Sequence, residues 1–258
     1  MMRAAIAGGL VLALGTAAYS ADMPIKAAPI YIPPPITWTG PYVGGNLGGG
    51  WFNPGGSADV PSIPIAKKKY TPDPLFGLSG GSGAGFIGGV QAGYNYQFLP
   101  RWLVGIEGDF DGATFSSDQS TAPLTLPGSS ASMSQNVDWL ASIRGRVGYL
   151  WTPTILLYGT GGAAWADVNY SGSATVQASP SVTAATSFSS VRSGWIAGAG
   201  AEYMWSPQWL LRAEYLFYSF NGTTASASLS PAVTSTPVVF AWDRLAISVI
   251  RIGASYRF

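Results

Sequence analysis

The side chains able to do chemistry are few in this chain, and they recur at alternate positions. Glu107, Asp109 and Asp111 alternate over five residues, and Arg144 and Arg146 share the same spacing. Three carboxylates so placed could hold a divalent metal and activate water, with the two arginines poised to neutralise the first two acids. The chain has no His and no Cys. It therefore lacks the commonest metal ligand and general base, and it has no thiol nucleophile or disulfide. Hydrolytic sites that pair His with Ser or Asp cannot be built. We read the chain as not an enzyme, with no cofactor and no metal. A net charge of +1 gives no electrostatic reason to expect nucleic acid.

Alternate spacing is the period of a strand, whose successive side chains face opposite ways. Trp102, Val104, Ile106, Gly108 and Phe110 lie on one face, opposite Leu103, Gly105, Glu107, Asp109 and Asp111. Around Arg144 and Arg146, the face Trp139, Ala141, Ile143, Gly145, Val147, Tyr149 and Trp151 opposes Asp138, Ser142 and the two arginines. Trp209, Leu211, Ala213, Tyr215 and Phe217 oppose Arg212 and Glu214, and Glu202 and Arg251 sit on the polar faces of two more such runs. High Gly (34), Trp (10), Tyr (13) and Phe (11), with only 10% charged residues, also favour β structure.

Three similar turns punctuate the chain: Phe98-Leu99-Pro100-Arg101-Trp102, Trp151-Thr152-Pro153-Thr154-Ile155 and Trp205-Ser206-Pro207-Gln208-Trp209. Each separates two strand-like runs by three residues, as a tight hairpin does. Between them lie long connections rich in Ser, Thr, Gly and Pro, near 52–83, 116–136, 171–192 and 221–241. The first carries Lys67-Lys68-Lys69, read as a solvated tip that could meet anionic lipopolysaccharide. Eight strands result, near 41–51, 84–98, 102–115, 137–151, 155–169, 193–205, 209–220 and 242–258. The faces of the fifth stay unassigned.

Short turns at one end and long loops at the other are the arrangement of an outer-membrane barrel. The apolar faces carry rings at both ends. Trp102, Tyr149, Trp151, Tyr203, Trp205 and Trp209 gather at the short-turn end, and Phe86, Phe110, Trp139, Trp195 and Phe217 at the other. That is the double aromatic girdle of a lipid-facing wall. The fold class expected is all-β, a closed eight-stranded antiparallel transmembrane β-barrel. Closure is obligatory because an open edge in hydrocarbon leaves backbone groups unpaired.

The polar faces then line the lumen. Glu107, Asp109, Glu202 and Glu214 balance Arg144, Arg146, Arg212 and Arg251, four against four. Counted from the short-turn tryptophans, Glu107 matches Arg146 in height, Asp109 matches Arg144, and Glu202 matches Arg212. A lumen of eight strands has room for side chains and little else, so a salt-bridge network fills it. A selectivity filter or proton path is the competing reading.

Residues 1–20 read as an export signal, with Arg3, an apolar stretch over 4–14 and small residues before a cut after Ser20. That apolar stretch is too short to span a membrane as a helix. Residues 21–40, rich in Pro, read as a periplasmic segment that cannot join a sheet, and 41–258 as the barrel domain. The last strand puts Ile252, Ala254, Tyr256 and Phe258 on one face. Tyr256 and Phe258 resemble the terminal signal read by the barrel assembly machinery.

The segment Ala21-Asp22-Met23-Pro24-Ile25-Lys26, the glycine-rich Trp38-Thr39-Gly40-Pro41-Tyr42-Val43-Gly44-Gly45-Asn46-Leu47-Gly48 and the ending 251–258 together resemble the alphaproteobacterial outer-membrane immunogenic protein family, within the OmpA-like barrels. The resemblance implies an eight-stranded barrel in the cell outer membrane, surface exposure, antigenicity and a part in envelope integrity. Some members are described as porin-like and some as haem-binding; a His-ligated haem has no ligand here. The function expected is a surface-exposed structural protein. A small channel for ions or solutes is the alternative, and a loop surface that binds a ligand is a third reading. The expected partners are outer-membrane lipid, lipopolysaccharide and the assembly machinery.

Overall fold

The computed structural model describes residues 37–59, 64–65, 68–69, 77–78, 82–121, 130–177, 181–228, 230 and 237–258. The expected export signal, most of the proline-rich segment and Lys67 lie outside the described residues, as do the side chains of Lys68 and Lys69.

Eight antiparallel strands close a barrel: β1 (Gly40–Phe52), β2 (Gly83–Leu99), β3 (Trp102–Thr121), β4 (Ser130–Thr152), β5 (Ile155–Val176), β6 (Val182–Met204), β7 (Trp209–Phe220) and β8 (Leu245–Arg257). Each pairs with its neighbours in sequence. The ring is completed by β1 on β8, from Tyr42 opposite Arg257 to Phe52 opposite Ile247. No barrel edge is left facing hydrocarbon, the condition for crossing a bilayer with strands. β1 starts at Gly40, one residue before the expected 41, and Pro41 is its second residue, near the strand start where a missing N–H costs little. Gly40 before it has φ 144°, where a side chain would be strained.

The proline turns join β2 to β3, β4 to β5 and β6 to β7. Two of them hold only two residues, Pro100-Arg101 and Pro153-Thr154, and the third holds four, 205–208. The other end differs more from expectation. Much of what reads as polar loop over 116–136 and 171–192 is sheet, because β3 to β6 run on past the barrel wall, with register shifts at Gly112/Phe115 and Val137/Trp139. Serine hydroxyls pair across this extension, Ser132 with Ser173 at 2.7 Å and Ser134 with Ser171 at 2.6 Å.

The eighth strand begins at Leu245, not 242. Trp242 belongs to a second, four-stranded sheet in the order Thr223–Ala227, Val238–Trp242, Gly56–Asp59, Gly77–Leu78. Its apolar face packs on the inner face of the extended strands, where Ala58, Val238, Phe240 and Trp242 are buried with Met133, Tyr170, Ala174 and Ala184. Trp242 meets the rings of Tyr170 and Phe188 edge-on, at 5.1 and 5.5 Å.

Candidate functional site: the lumen and the wall

The alternation of each strand decides what enters the lumen. Three layers result. At the proline-turn end, Trp38, Leu103, Leu150, Leu156, Tyr158, Met204 and Leu210 form a buried apolar cluster. Trp38 is fully buried, its indole N–H donating to the Pro153 carbonyl (3.1 Å) and its backbone N–H to Gln97 Oε1 (3.0 Å). Toward the other end, Phe52, Ile87, Phe115, Leu140, Ile196, Leu216, Tyr218 and Ile247 belong to a larger cluster that continues into the packed second sheet.

Between them lies a belt of charge. Glu107, Asp109, Asp111, Glu202 and Glu214 meet Arg144, Arg146, Arg212 and Arg251, and all nine are buried. Each guanidinium bridges more than one carboxylate. Arg144 pairs with Glu107, with Asp109 at 2.8 Å and with Glu214 at 3.4 Å. Arg146 reaches Glu202 at 2.8 Å and Glu107 at 3.4 Å. Arg212 contacts Glu107 at 2.6 Å and Glu202 at 2.7 Å. Arg251 holds Asp111 and Glu214, both at 2.6 Å, and Asp109 at 3.1 Å. The planar, permanently charged guanidinium suits such shared pairing.

The belt differs from the sequence reading in two ways. It holds five carboxylates, not four, because Asp111 joins through Arg251, so acids outnumber arginines by one. Heights also shift. Glu107 stands opposite Arg144, and Asp109 opposite Ser142, whose hydroxyl donates to it at 2.9 Å. Glu202 does stand opposite Arg212, and Glu214 stands opposite Arg251. Among the described residues no group of three or more acidic side chains could hold a metal ion. Asp138 leaves the lumen altogether. A bulge between Val137 and Trp139 turns it outward, exposed, where it accepts from Asn169 Nδ2 at 2.8 Å.

Several lumen residues had no role in the sequence reading. Tyr42 Oη donates to Glu107 (2.6 Å) and accepts from Arg146 (3.1 Å). Tyr158 donates to Glu214 (3.1 Å), and its ring lies 4.2 Å under the Arg146 guanidinium. Asn46 donates to Asp111 at 2.9 Å. Tyr42 and Asn46 alternate with glycines in the first strand, the signal that could have marked them. Tyr158 lies in the strand whose faces stayed unassigned. Its inner face otherwise carries Leu156, Thr160, Gly162, Ala164, Ala166, Val168 and Tyr170, nearly as apolar as the Leu157-to-Trp165 stretch of its outer one. Inward glycines make the room. A Cβ on Gly105 would lie 2.6 Å from Asn95 Oδ1, and one on Gly200 2.6 Å from Tyr158 Oη.

The outer wall is apolar. Trp102, Trp151, Tyr203, Trp205 and Trp209 are exposed on it at the proline-turn end, and Tyr149 is half-buried edge-on to Trp102. Phe86, Phe110 and Trp195 are exposed at the other end. From Trp195 on β6 to Trp205, the residue just past its end, the two girdles are ten residues apart. At ~3.3 Å per residue and a tilt of ~40°, that gives a band of about 25 Å, the height of a lipid-facing wall. Tyr256 and Phe258 lie on this outer face, their rings edge-on at 5.2 Å.

Comparisons with known proteins identify the family. The 31 kDa outer-membrane immunogenic protein of Brucella melitensis is 31% identical over 263 residues, covering 100% of both chains. The 25 kDa outer-membrane immunogenic protein of Brucella abortus is 26% identical, over 98% of this chain and 96% of its own. Among solved structures, the outer membrane protein OprG from Pseudomonas aeruginosa matches with a TM-score of 0.46 and 14% identity, over 85% of this chain and 97% of that one. The family model for the outer membrane protein β-barrel domain matches residues 9–258. The chain is an outer-membrane protein and belongs to this β-barrel family, with the outer-membrane immunogenic proteins among its relatives.

Proposed function

We propose that this barrel is a non-catalytic, non-conducting structural protein of the outer membrane, exposed at the cell surface and contributing to envelope integrity. The observation that carries the reading is the filling of the lumen. A solute crossing it would have to pass the buried Trp38 cluster, a dry belt of nine charged side chains and the apolar core beneath the second sheet. Opening such a belt separates charges that have little water to turn to, which is costly. The same belt argues against catalysis, because each of its carboxylates is engaged by a guanidinium. We assign Tyr256 and Phe258 to recognition by the assembly machinery.

Conductance of the purified barrel in a planar bilayer tests the reading. The expected trace shows no steady step above the bilayer background at either polarity. A reproducible, ohmic pore in the folded protein would overturn it and restore the channel alternative.

A further inference from the structure

The outer faces of β3 to β6 change character at one level. On β5 the outward series Leu157, Gly159, Gly161, Ala163, Trp165 gives way to Asp167, Asn169, Ser171 and Ser173. On β3, Phe110 is followed outward by Thr114, Ser116, Asp118 and Ser120. Above Trp139 on β4 come Asp138, Asn136, Ser134 and Ser132. The lipid-facing wall thus passes into a polar face four strands wide, with a bulge on β4 at the level of the change. The register aligns Asp118, Ser134, Ser171 and Ser187 in one row across it. This row and the next, which pairs Ser132 with Ser173, line a shallow hollow of about 660 Å³.

We infer that this hollow binds the saccharide headgroup of an outer-leaflet glycolipid whose acyl chains lie on the wall below. Hydroxyl groups both donate and accept, so the serine rows can match sugar hydroxyls in many orientations, and Asp118 can accept from a vicinal pair. The outward positions described on this face carry no Lys or Arg, so it is fitted to sugars, not to bare phosphates. The height agrees. Asp118 stands eight residues beyond Phe110, about 20 Å above the aromatic ring once strand rise and tilt are allowed for. That is above the acyl region, where glycan and not hydrocarbon surrounds a barrel. Continuity with the lipid-facing wall decides between sources: a membrane-anchored glycan is held beside this face, whereas a free one is not. The inference does not depend on whether the lumen conducts.

The test uses the full chain in detergent micelles, with bound glycolipid counted by native mass spectrometry. The probes are lipopolysaccharide with intact core sugars, lipid A without them, and free core oligosaccharide. Core-bearing lipopolysaccharide is expected to bind at least tenfold more tightly than either other probe. The double variant Ser134→Gln, Ser171→Gln fills the hollow and is expected to remove that preference. Thr224→Gln, an exposed change on the second sheet, is expected to keep it. Heat-modifiable migration reports whether each variant has folded. The probe comparison on the unaltered protein stands even if the double variant does not fold. Equal binding of lipid A and core-bearing lipopolysaccharide, equal binding of the free oligosaccharide, or a folded double variant that keeps the preference would each overturn the inference.

Discussion

The surplus of one carboxylate in the belt makes single substitutions unequal in a way that can be worked out. Arg212 contacts Glu107, Glu202 and Glu214, at 2.6, 2.7 and 3.8 Å. Arg212→Met keeps most of the volume but raises the acid excess from one to two: Glu202 retains only Arg146, and the belt is left with five acids against three arginines. Breaking a buried pair by removing one partner costs about 3–5 kcal/mol, and this case belongs at the upper end, about 4–5 kcal/mol. Glu202→Gln removes an acid instead and brings the belt to four against four. It loses charge-assisted hydrogen bonding to Arg146 and Arg212 but leaves no net charge, so about 2 kcal/mol is expected. Asp111→Asn, whose acid has Arg251 as its ion partner, is expected to cost about 1 kcal/mol or less. Denaturant unfolding of the barrel in phospholipid vesicles, followed by tryptophan fluorescence, gives the three midpoints. Equal losses for Arg212→Met and Glu202→Gln, or a loss below about 1 kcal/mol for Arg212→Met, would mean that water screens the belt and that the dry lumen is wrong.

Other consequences of the same geometry are open to measurement. Trp38→Ala should destabilise the barrel by about 3 kcal/mol through loss of a fully buried ring, yet bilayer recordings should stay silent because the belt still seals the lumen. Gly200→Ala should cost about 1–3 kcal/mol in the same unfolding assay, since its Cβ would meet Tyr158 Oη at 2.6 Å and the Ala213 carbonyl at 2.8 Å. Ile143→Arg, on the exposed wall within the apolar band, should cost about 2–4 kcal/mol in vesicles. Ser116→Arg, on the polar extension of the same face, should change stability by less than about 0.5 kcal/mol.

Alternation makes the wall and the charge belt legible in the sequence, and what alternation cannot carry is where the reading departs from the structure. Trp102 to Phe110 and Trp139 to Trp151 show their sidedness because one face is greasy and the other charged. β5 hides its own, because Leu156, Ala164 and Val168 point into an apolar core while Leu157, Ala163 and Trp165 point to lipid. When both solvents are apolar, a period of two has no contrast. Asp138 fails for a different reason. Parity carries from residue to residue only while the ladder is unbroken, and the bulge at Val137/Trp139 inserts one residue and inverts it. The inversion keeps a charge out of the core that holds Val137 and Leu140, and it leaves Trp139 facing out, stacked on Phe110 at 5.6 Å. The extended hairpins are hidden because Ser and Thr runs read as loop by composition, though strands clear of the membrane need an apolar inner face only. Met133, Tyr170 and Ala174 supply that face, and Ser132, Ser171 and Ser173 the outer one. On β5 the same period of two therefore runs from lipid to water, Leu157 to Ser173, and only the solvent outside the barrel changes.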